Sequence, residues 1–112
     1  MRGIVHYGEK VKVFYGKTEK VIDGTSFELA YYILKTAAEV DELKADTYGI
    51  EIVKSDLFGV KLDSKSEIDI WTGLSEVETL ANRLVDCKSL PEELHNIAIE
   101  YVDEVSYVKY VF

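Results

Sequence analysis

Residues 89–104, SLPEELHNIAIEYVDE, carry the clearest helical pattern in the chain. Ser89 suits the N-cap, Pro91 suits the first turn, and Glu92 stands three residues after Ser89, as a capping box requires. Apolar residues then recur at helical spacing and form one stripe: Leu94, Ile97, Ala98, Tyr101 and Val102. We therefore expect one face of this helix to pack on a core, and we interpret the preceding residues as the sheet beneath it.

A second helix is predicted just before the first, at residues 75–87. Ser75 and Glu78 have the spacing of a capping box. The buried stripe of this helix is expected to hold Val77, Leu80, Ala81, Leu84 and, at its end, a structural Cys87. The C-terminal run at 105–112, VSYVKYVF, is β-prone, and we expect it to close the sheet or to pack against the helix at 89–104.

The rest of the chain alternates between β-prone runs and turn signals. Strands are predicted at residues 3–7, 11–15, 20–22, 47–53, 57–62 and 67–71. Turns are predicted at residues 8–10, 16–19, 23–24, 54–56 and 63–66, and residues 39–46 are predicted as a loop or a short helical turn. The last three strands, joined by short turns, would form an antiparallel meander.

Residues 25–38, TSFELAYYILKTAA, fit two structures equally well. The alternation from Phe27 to Ile33 favours a strand, because these positions would place apolar side chains on one face. A capping box at Thr25 and Glu28, followed by helix-forming Leu and Ala residues, favours a helix. The residues alone leave this choice open.

Together these patterns predict the α+β class: an antiparallel sheet of about five strands, covered on one face by two C-terminal helices. The 112 residues suit a single α+β domain spanning residues 1–112, and 47% hydrophobic residues are enough for a core.

The charge of the chain is acidic and uneven. The formal net charge is -8, yet residues 1–22 hold five basic and two acidic residues, which gives +3. Residues 23–112 hold eight basic and nineteen acidic residues, which gives -11. An acidic surface argues against direct binding of nucleic acid and of anionic membranes, since both need Lys and Arg. It favours a protein partner with a basic surface.

Cys87 is the only cysteine, so no disulfide can form within the chain, as is usual in a reducing compartment. The N-terminal residues contain no apolar run typical of a signal peptide, and no stretch has the length of a membrane span. We therefore expect a cytoplasmic protein.

Two stretches resemble a known family. TYGIEIV at 47–53 and PEELHNIAIEYVDEV at 91–105 resemble a family of small uncharacterised proteins of Clostridia and related Firmicutes, in which a sheet leads to two C-terminal helices. The resemblance covers about residues 28–105 and leaves out the first 22 residues and the C-terminal run. It implies that 28–35, ELAYYILK, is a strand. It assigns no functional residue, because the family has no known activity.

The sequence offers little for catalysis. His6 and His95 have no nucleophile or orienting partner at a recognisable spacing. Cys87 stands beside Asp86 near a helix end, where a thiol is not activated. Glu92 and His95 form one Glu-x-x-His pair without the second half that a carboxylate metal site needs. We therefore expect no enzyme activity, no cofactor and no metal. A small-molecule or metal-binding enzyme that depends on Cys87 and His95 is kept as a third hypothesis.

Two binding hypotheses remain. The first is a small acidic protein that binds and inhibits or regulates a basic, nucleic-acid-handling protein; an inhibitor of phage type, such as an anti-CRISPR protein, is one example by analogy of charge and size. Its predicted partner-binding residues are Glu67, Asp69, Glu92, Glu93, Glu100, Asp103 and Glu104. The alternative is a homo-oligomeric structural or housekeeping protein. Its predicted homodimer contact is formed by Val105, Tyr107, Val108 and Tyr110.

Overall fold

A computed structural model of the protein describes residues 4–6, 10–40 and 43–111, and it places the side chains of residues 6, 10–39 and 43–106. The strands are β1 (Ile4–His6), β2 (Val11–Ile22), β3 (Thr25–Val40), β4 (Leu43–Ser55) and β5 (Lys61–Trp71). The helices are α1 (Leu74–Asp86), a 3₁₀ turn (Pro91–Glu93) and α2 (Leu94–Val111). The α+β class predicted from the sequence is confirmed.

The strands form one antiparallel sheet in which β3 and β4 are central. β4 pairs with one edge of β3, and β5 pairs with the far edge of β4. β1 and β2 both pair with the other edge of β3, β1 opposite residues 38–40 and β2 opposite residues 25–35. The five strands therefore make a sheet that is four strands wide, close to the predicted number.

The N-terminal prediction needs two corrections. The strands predicted on either side of the turn at 8–10 do not form a hairpin: β1 and β2 are both antiparallel to β3, so they run in the same direction. Residues 7–9 lie outside the described residues. The predicted turn at 16–19 is also wrong, because β2 continues through it. The signal there reflects a β-bulge between Phe14 and Gly16, which bends the strand without ending it.

The ambiguous residues 25–38 are extended and belong to the long strand β3, as the resemblance implied. The turn at 23–24 is confirmed: Asp23 and Gly24 both have positive φ, 51° and 80°, as a two-residue hairpin turn of type I′ requires. The loop predicted at 39–46 is wrong, because β3 reaches Val40 and β4 begins at Leu43. Pairing along both strands outweighs the polar composition of this stretch.

The predicted meander of three strands is wrong: residues 47–71 hold only two strands, β4 and β5, which form one hairpin. Residues 57–60, predicted as part of a strand, form the loop between β4 and β5. The Asp56 carboxylate closes that loop by accepting hydrogen bonds at 2.9 Å from the backbone N–H groups of Phe58 and Val60. The predicted turn at 63–66 lies inside β5, where polar side chains face solvent and do not interrupt the pairing.

Both helices are confirmed, with shifted starts. The N-cap of α1 is Gly73 instead of Ser75. At the 3₁₀ turn the cap is Leu90, whose N–H donates to Glu93 Oε1 at 2.8 Å, so the predicted pair of Ser89 and Glu92 is wrong by one residue. Cys87, expected to be buried, is exposed at the end of α1.

The C-terminal run predicted as β-prone is helical, because α2 continues to Val111. Val105 is partly buried and packs against the core. The side chains of Tyr107, Val108 and Tyr110, which complete the predicted homodimer contact, lie outside the described residues.

The core lies between one face of the sheet and the two helices. The sheet contributes Leu29, Tyr31, Ile33, Ile50, Ile52 and Ile70, and the helices contribute Val77, Leu80, Ala81, Leu84, Leu94, Ala98 and Tyr101. The predicted helical stripes therefore face the sheet, with Ile97 and Val102 partly buried at the border.

A large bulge in β5 shapes the region between the sheet and α2. Tyr48 is opposite Trp71 and Ile50 is opposite Glu67, so three residues of β5 stand against Gly49 alone. The extra residues lie so close over Gly49 that a Cβ there would be 2.8 Å from the Ile68 Cα. Asp69, at the turn of the bulge, has a left-handed backbone with φ of 55°.

Candidate functional site

A groove opens where the β5 bulge meets the side of α2. We call it the acid-rimmed groove; it is lined by Glu67, Ile68, Asp69, Ile70, Ala98, Ile99, Val102 and Asp103 and has a cavity volume of about 220 Å³. The bulge turns part of β5 away from the core, and helical spacing brings Ile99, Val102 and Asp103 to one side of α2. Two elements far apart in sequence thus build the groove.

The floor of the groove exposes apolar side chains that the fold does not bury. Ile68 is 44% exposed and Ile99 is 47% exposed. Ile70 and Ala98 are buried below them and fix their backbone positions. Covering a concave apolar surface of this kind with a partner side chain is favourable, because apolar area is removed from water.

Three carboxylates line the groove, and they differ in their partners. Glu67 Oε1 lies 2.5 Å from His95 Nδ1 on α2. Asp69 Oδ1 accepts hydrogen bonds from the Thr47 hydroxyl at 2.5 Å and from His6 Nε2 at 2.9 Å. Asp103 is exposed and has no partner among the described residues. Glu67 and Asp69 are therefore engaged within the chain, and Asp103 is left open to a partner.

A second cavity of about 210 Å³ adjoins the groove at Glu67. Lys65, Ser66, Pro91, Glu92, Leu94 and His95 complete its lining. Glu92 and His95 are both exposed there. Within the described ranges, no group of three or more His, Cys, Asp or Glu side chains has an arrangement that would hold a metal ion.

The predicted partner-binding residues divide into three groups. Glu67, Asp69 and Asp103 meet in the groove, and Glu92 lines the adjoining cavity. Glu93 and Glu104 make contacts within the fold. Glu93 accepts a hydrogen bond from the N–H of Leu90, and Glu104 accepts two from Arg83 of α1, at 3.0 and 3.4 Å. These bonds hold the pKa of Glu104 below its usual value. Glu100 is exposed and lines neither cavity.

Sequence reasoning missed the apolar half of the site. It selected acids by charge and did not single out Ile68 or Ile99. Ile99 carried a signal, since it is a large apolar residue off the buried stripe of its helix. Ile68 carried no such signal. In a regular strand Ile68 and Ile70 would lie on the same face, and only the bulge leaves Ile68 exposed while Ile70 is buried.

The fold and the groove define a small α+β protein with an apolar groove bordered by carboxylates. The chain belongs to the family described as Family of unknown function (DUF6514), whose model matches residues 10–104. The match confirms that the family is uncharacterised, and it begins nearer the N-terminus than the resemblance indicated. No curated protein and no solved structure was found to be similar. No helix among the described residues is both long and apolar enough to cross a membrane.

Proposed function

We propose that this protein is a non-enzymatic binding protein that engages a basic, nucleic-acid-handling protein through the acid-rimmed groove and inhibits or regulates it. The observation that carries the proposal is the coincidence, in one groove, of an exposed apolar floor with a carboxylate rim. Neither feature alone would indicate a partner, because exposed isoleucines and surface acids are both common.

The two features have separate roles in binding. Ile68 and Ile99 would supply affinity, because apolar area leaves water when a partner side chain enters the groove. The rim would supply selectivity and a fast association rate, because an acidic surface attracts a basic segment and repels an acidic one. The -11 charge of residues 23–112 extends that attraction beyond the groove.

This chemistry fits a segment with an apolar side chain flanked by Lys or Arg. Proteins that handle nucleic acids present such segments where they contact phosphates. Occupation of the segment by the groove would compete with nucleic acid, which is the basis of the proposed inhibition. An anti-CRISPR protein is one form that such an inhibitor takes.

The experiment is affinity capture from the lysate of a Firmicute with the immobilised protein, eluted by a salt gradient and identified by mass spectrometry. We expect a nucleic-acid-binding protein that elutes at moderate salt, since exposed charge pairs weaken with ionic strength. Added duplex DNA or RNA should displace it, because nucleic acid competes for the same basic segment.

Three variants test whether the groove is responsible. Asp103→Lys reverses the rim charge and Ile99→Ser removes the floor, and each should lower capture about tenfold or more. Asp86→Lys makes the same charge reversal at an exposed acid on α1 and should leave capture unchanged. Equal capture by Asp103→Lys and Asp86→Lys, or full capture by Ile99→Ser, would contradict the proposal.

A further inference from the structure

The outer edge of the sheet at β2 is a second surface with an unusual exposure of apolar side chains. Among the described residues β2 pairs only with β3, which leaves its other edge open. Val11, Val13, Phe14 and Val21 are each exposed by half or more. Long apolar edge strands are sites of further strand pairing unless lysines, bulges or covering elements block them.

The lysines of β2 do not block this edge, because each contacts its own chain. Lys12 Nζ lies 2.6 Å from Glu51, and Lys17 Nζ lies 3.5 Å from Glu28. Lys20 Nζ donates to the backbone carbonyl of Lys88 at 3.0 Å. Glu19, by contrast, has no partner among the described residues. The bulge after Phe14 limits the regular part of the edge to residues 16–22.

The type I′ turn fixes which residues of this regular part can bond outward. In a two-residue hairpin the flanking pair, here Ile22 and Thr25, is hydrogen-bonded, and bonded pairs then alternate along the strands. Even-numbered residues of β2 thus bond to β3. Lys17, Glu19 and Val21 direct their backbone N–H and C=O groups to the open edge.

Charge selects one register for a second copy of this edge. Two identical antiparallel strands pair about a two-fold axis, and outward bonding requires odd residues opposite odd residues. An axis at residue 17 would oppose Lys17 to Lys17 of the partner, and an axis at residue 19 would oppose Glu19 to Glu19. An axis at Thr18 opposes Lys17 to Glu19 twice, which is the favourable cross-strand arrangement.

We propose that the protein forms a homodimer in which β2 pairs antiparallel with β2 of a second copy, with the two-fold axis at Thr18. Glu19 then gains the cationic partner that it lacks in the single chain. The two sheets become one continuous sheet, eight strands wide. This proposal does not depend on the acid-rimmed groove, which lies at the β5 side of the sheet.

The register is tested by cross-linking in a Cys87→Ser background, which removes the exposed native thiol. Thr18→Cys would place two cysteines directly opposite each other with Cα atoms about 4.5 Å apart, within disulfide range. We expect a disulfide-linked dimer under mild oxidation. The matched control Val21→Cys would place its thiols six positions apart, roughly 20 Å, and should stay uncross-linked. Equal cross-linking of both variants, or none with Thr18→Cys, would overturn the proposal.

A charge exchange tests the same contact without cysteine. Lys17→Glu and Glu19→Lys each create two like-charged pairs, so each alone should weaken dimerisation about tenfold in sedimentation equilibrium. An equimolar mixture of the two variants restores both opposite-charge pairs and should dimerise as strongly as the natural protein. Glu28→Gln, which removes only the internal partner of Lys17, should leave the dimer unchanged. A mixture no stronger than either variant alone, or a natural protein that is monomeric at high micromolar concentration, would overturn the proposal.

Discussion

Tyr31 connects the centre of the sheet to the junction of the two helices. It is fully buried on β3, and its hydroxyl donates to the backbone carbonyl of Ser89 at 2.9 Å. Ser89 is itself buried, so this carbonyl has little access to water. Burial raises the pKa of the Tyr31 phenol well above its ordinary value, and the Glu93 and Cys87 side chains add to the effect.

Replacement of Tyr31 by Phe should therefore lower the free energy of unfolding by about 1–2 kcal/mol at neutral pH, because a buried carbonyl loses its donor. The loss should shrink as pH rises above about 10. There the unfolded chain releases the Tyr31 proton while the folded chain retains it, so the natural protein loses stability that the variant does not. Urea unfolding of both proteins from pH 7 to pH 11 measures the difference. A difference that stays constant over this range would contradict the assignment.

Lys88 ends α1 in a conformation that suits glycine better. Its φ is 51°, and the N–H groups of Lys88 and Ser89 bond back to Val85 and Leu84 at 3.1 and 2.9 Å, which is a Schellman motif. A residue with a Cβ is destabilised in this left-handed region by roughly 1–2 kcal/mol. Glycine avoids that cost but loses more backbone freedom on folding, which offsets part of the difference.

Lys88→Gly should raise the free energy of unfolding by about 0.5–1 kcal/mol, measured by urea denaturation. The backbone carbonyl that accepts the Lys20 hydrogen bond is retained in this variant. Lys88→Ala is the control, since it removes the lysine but keeps a Cβ, and it should bring no such gain. Equal stabilisation by both substitutions would show that the backbone strain is not the cause.

At the scale of single residues, the sequence predicts which faces are buried better than it predicts caps. Leu94, Ala98 and Tyr101 are buried as their spacing requires, because the period of a helix leaves only one apolar side. Ser89 has the right composition for a cap but lies inside the junction, and the cap moves to Leu90. The cap at Leu90 uses only a backbone N–H, which donates to Glu93, so the side-chain preferences of capping positions do not locate it.

At the scale of elements, the bulge of β5 decides where the groove lies. It depends on Gly49, because any side chain there would meet the backbone of Glu67 and Ile68. The sequence could not show this, since TYGIEIV reads as an ordinary strand and the bulge belongs to its partner. The sequence therefore predicted the acids of the groove one by one. It did not predict that they lie beside Ile68 and Ile99 in one groove.

Gly49→Ala should cost about 3 kcal/mol or more in unfolding free energy, because backbone atoms must move to admit the methyl group. Gly16→Ala is the matched control within the same sheet. Its Cβ would meet a Val85 methyl at 3.4 Å, which is ordinary contact, so the cost there should be small. Thermal denaturation compares the two variants. A Gly49 variant as stable as the control would show that the bulge is free to shift.

At the scale of the whole molecule, long-range pairing explains the errors in the predicted strands. The turn signals at 16–19 and 63–66 lie within β2 and β5, and the described residues of the polar stretch at 39–46 belong to β3 and β4. Residues 16–19 pair with β3 and residues 63–66 pair with β4, so each residue gains from cross-strand contacts that local sequence does not report. The class of fold is robust to such errors, since it depends on which faces are apolar.

The order of the elements along the chain has a consequence for synthesis. Each described strand precedes both helices, so the sheet residues leave the ribosome before the segment that will cover them. The hairpins are local and can form early, yet Leu29, Tyr31, Ile50 and Ile52 have no cover until α1 and α2 emerge. A nascent chain halted after Trp71 would thus present a bare apolar face, which is the kind of surface that makes an incomplete chain prone to aggregation.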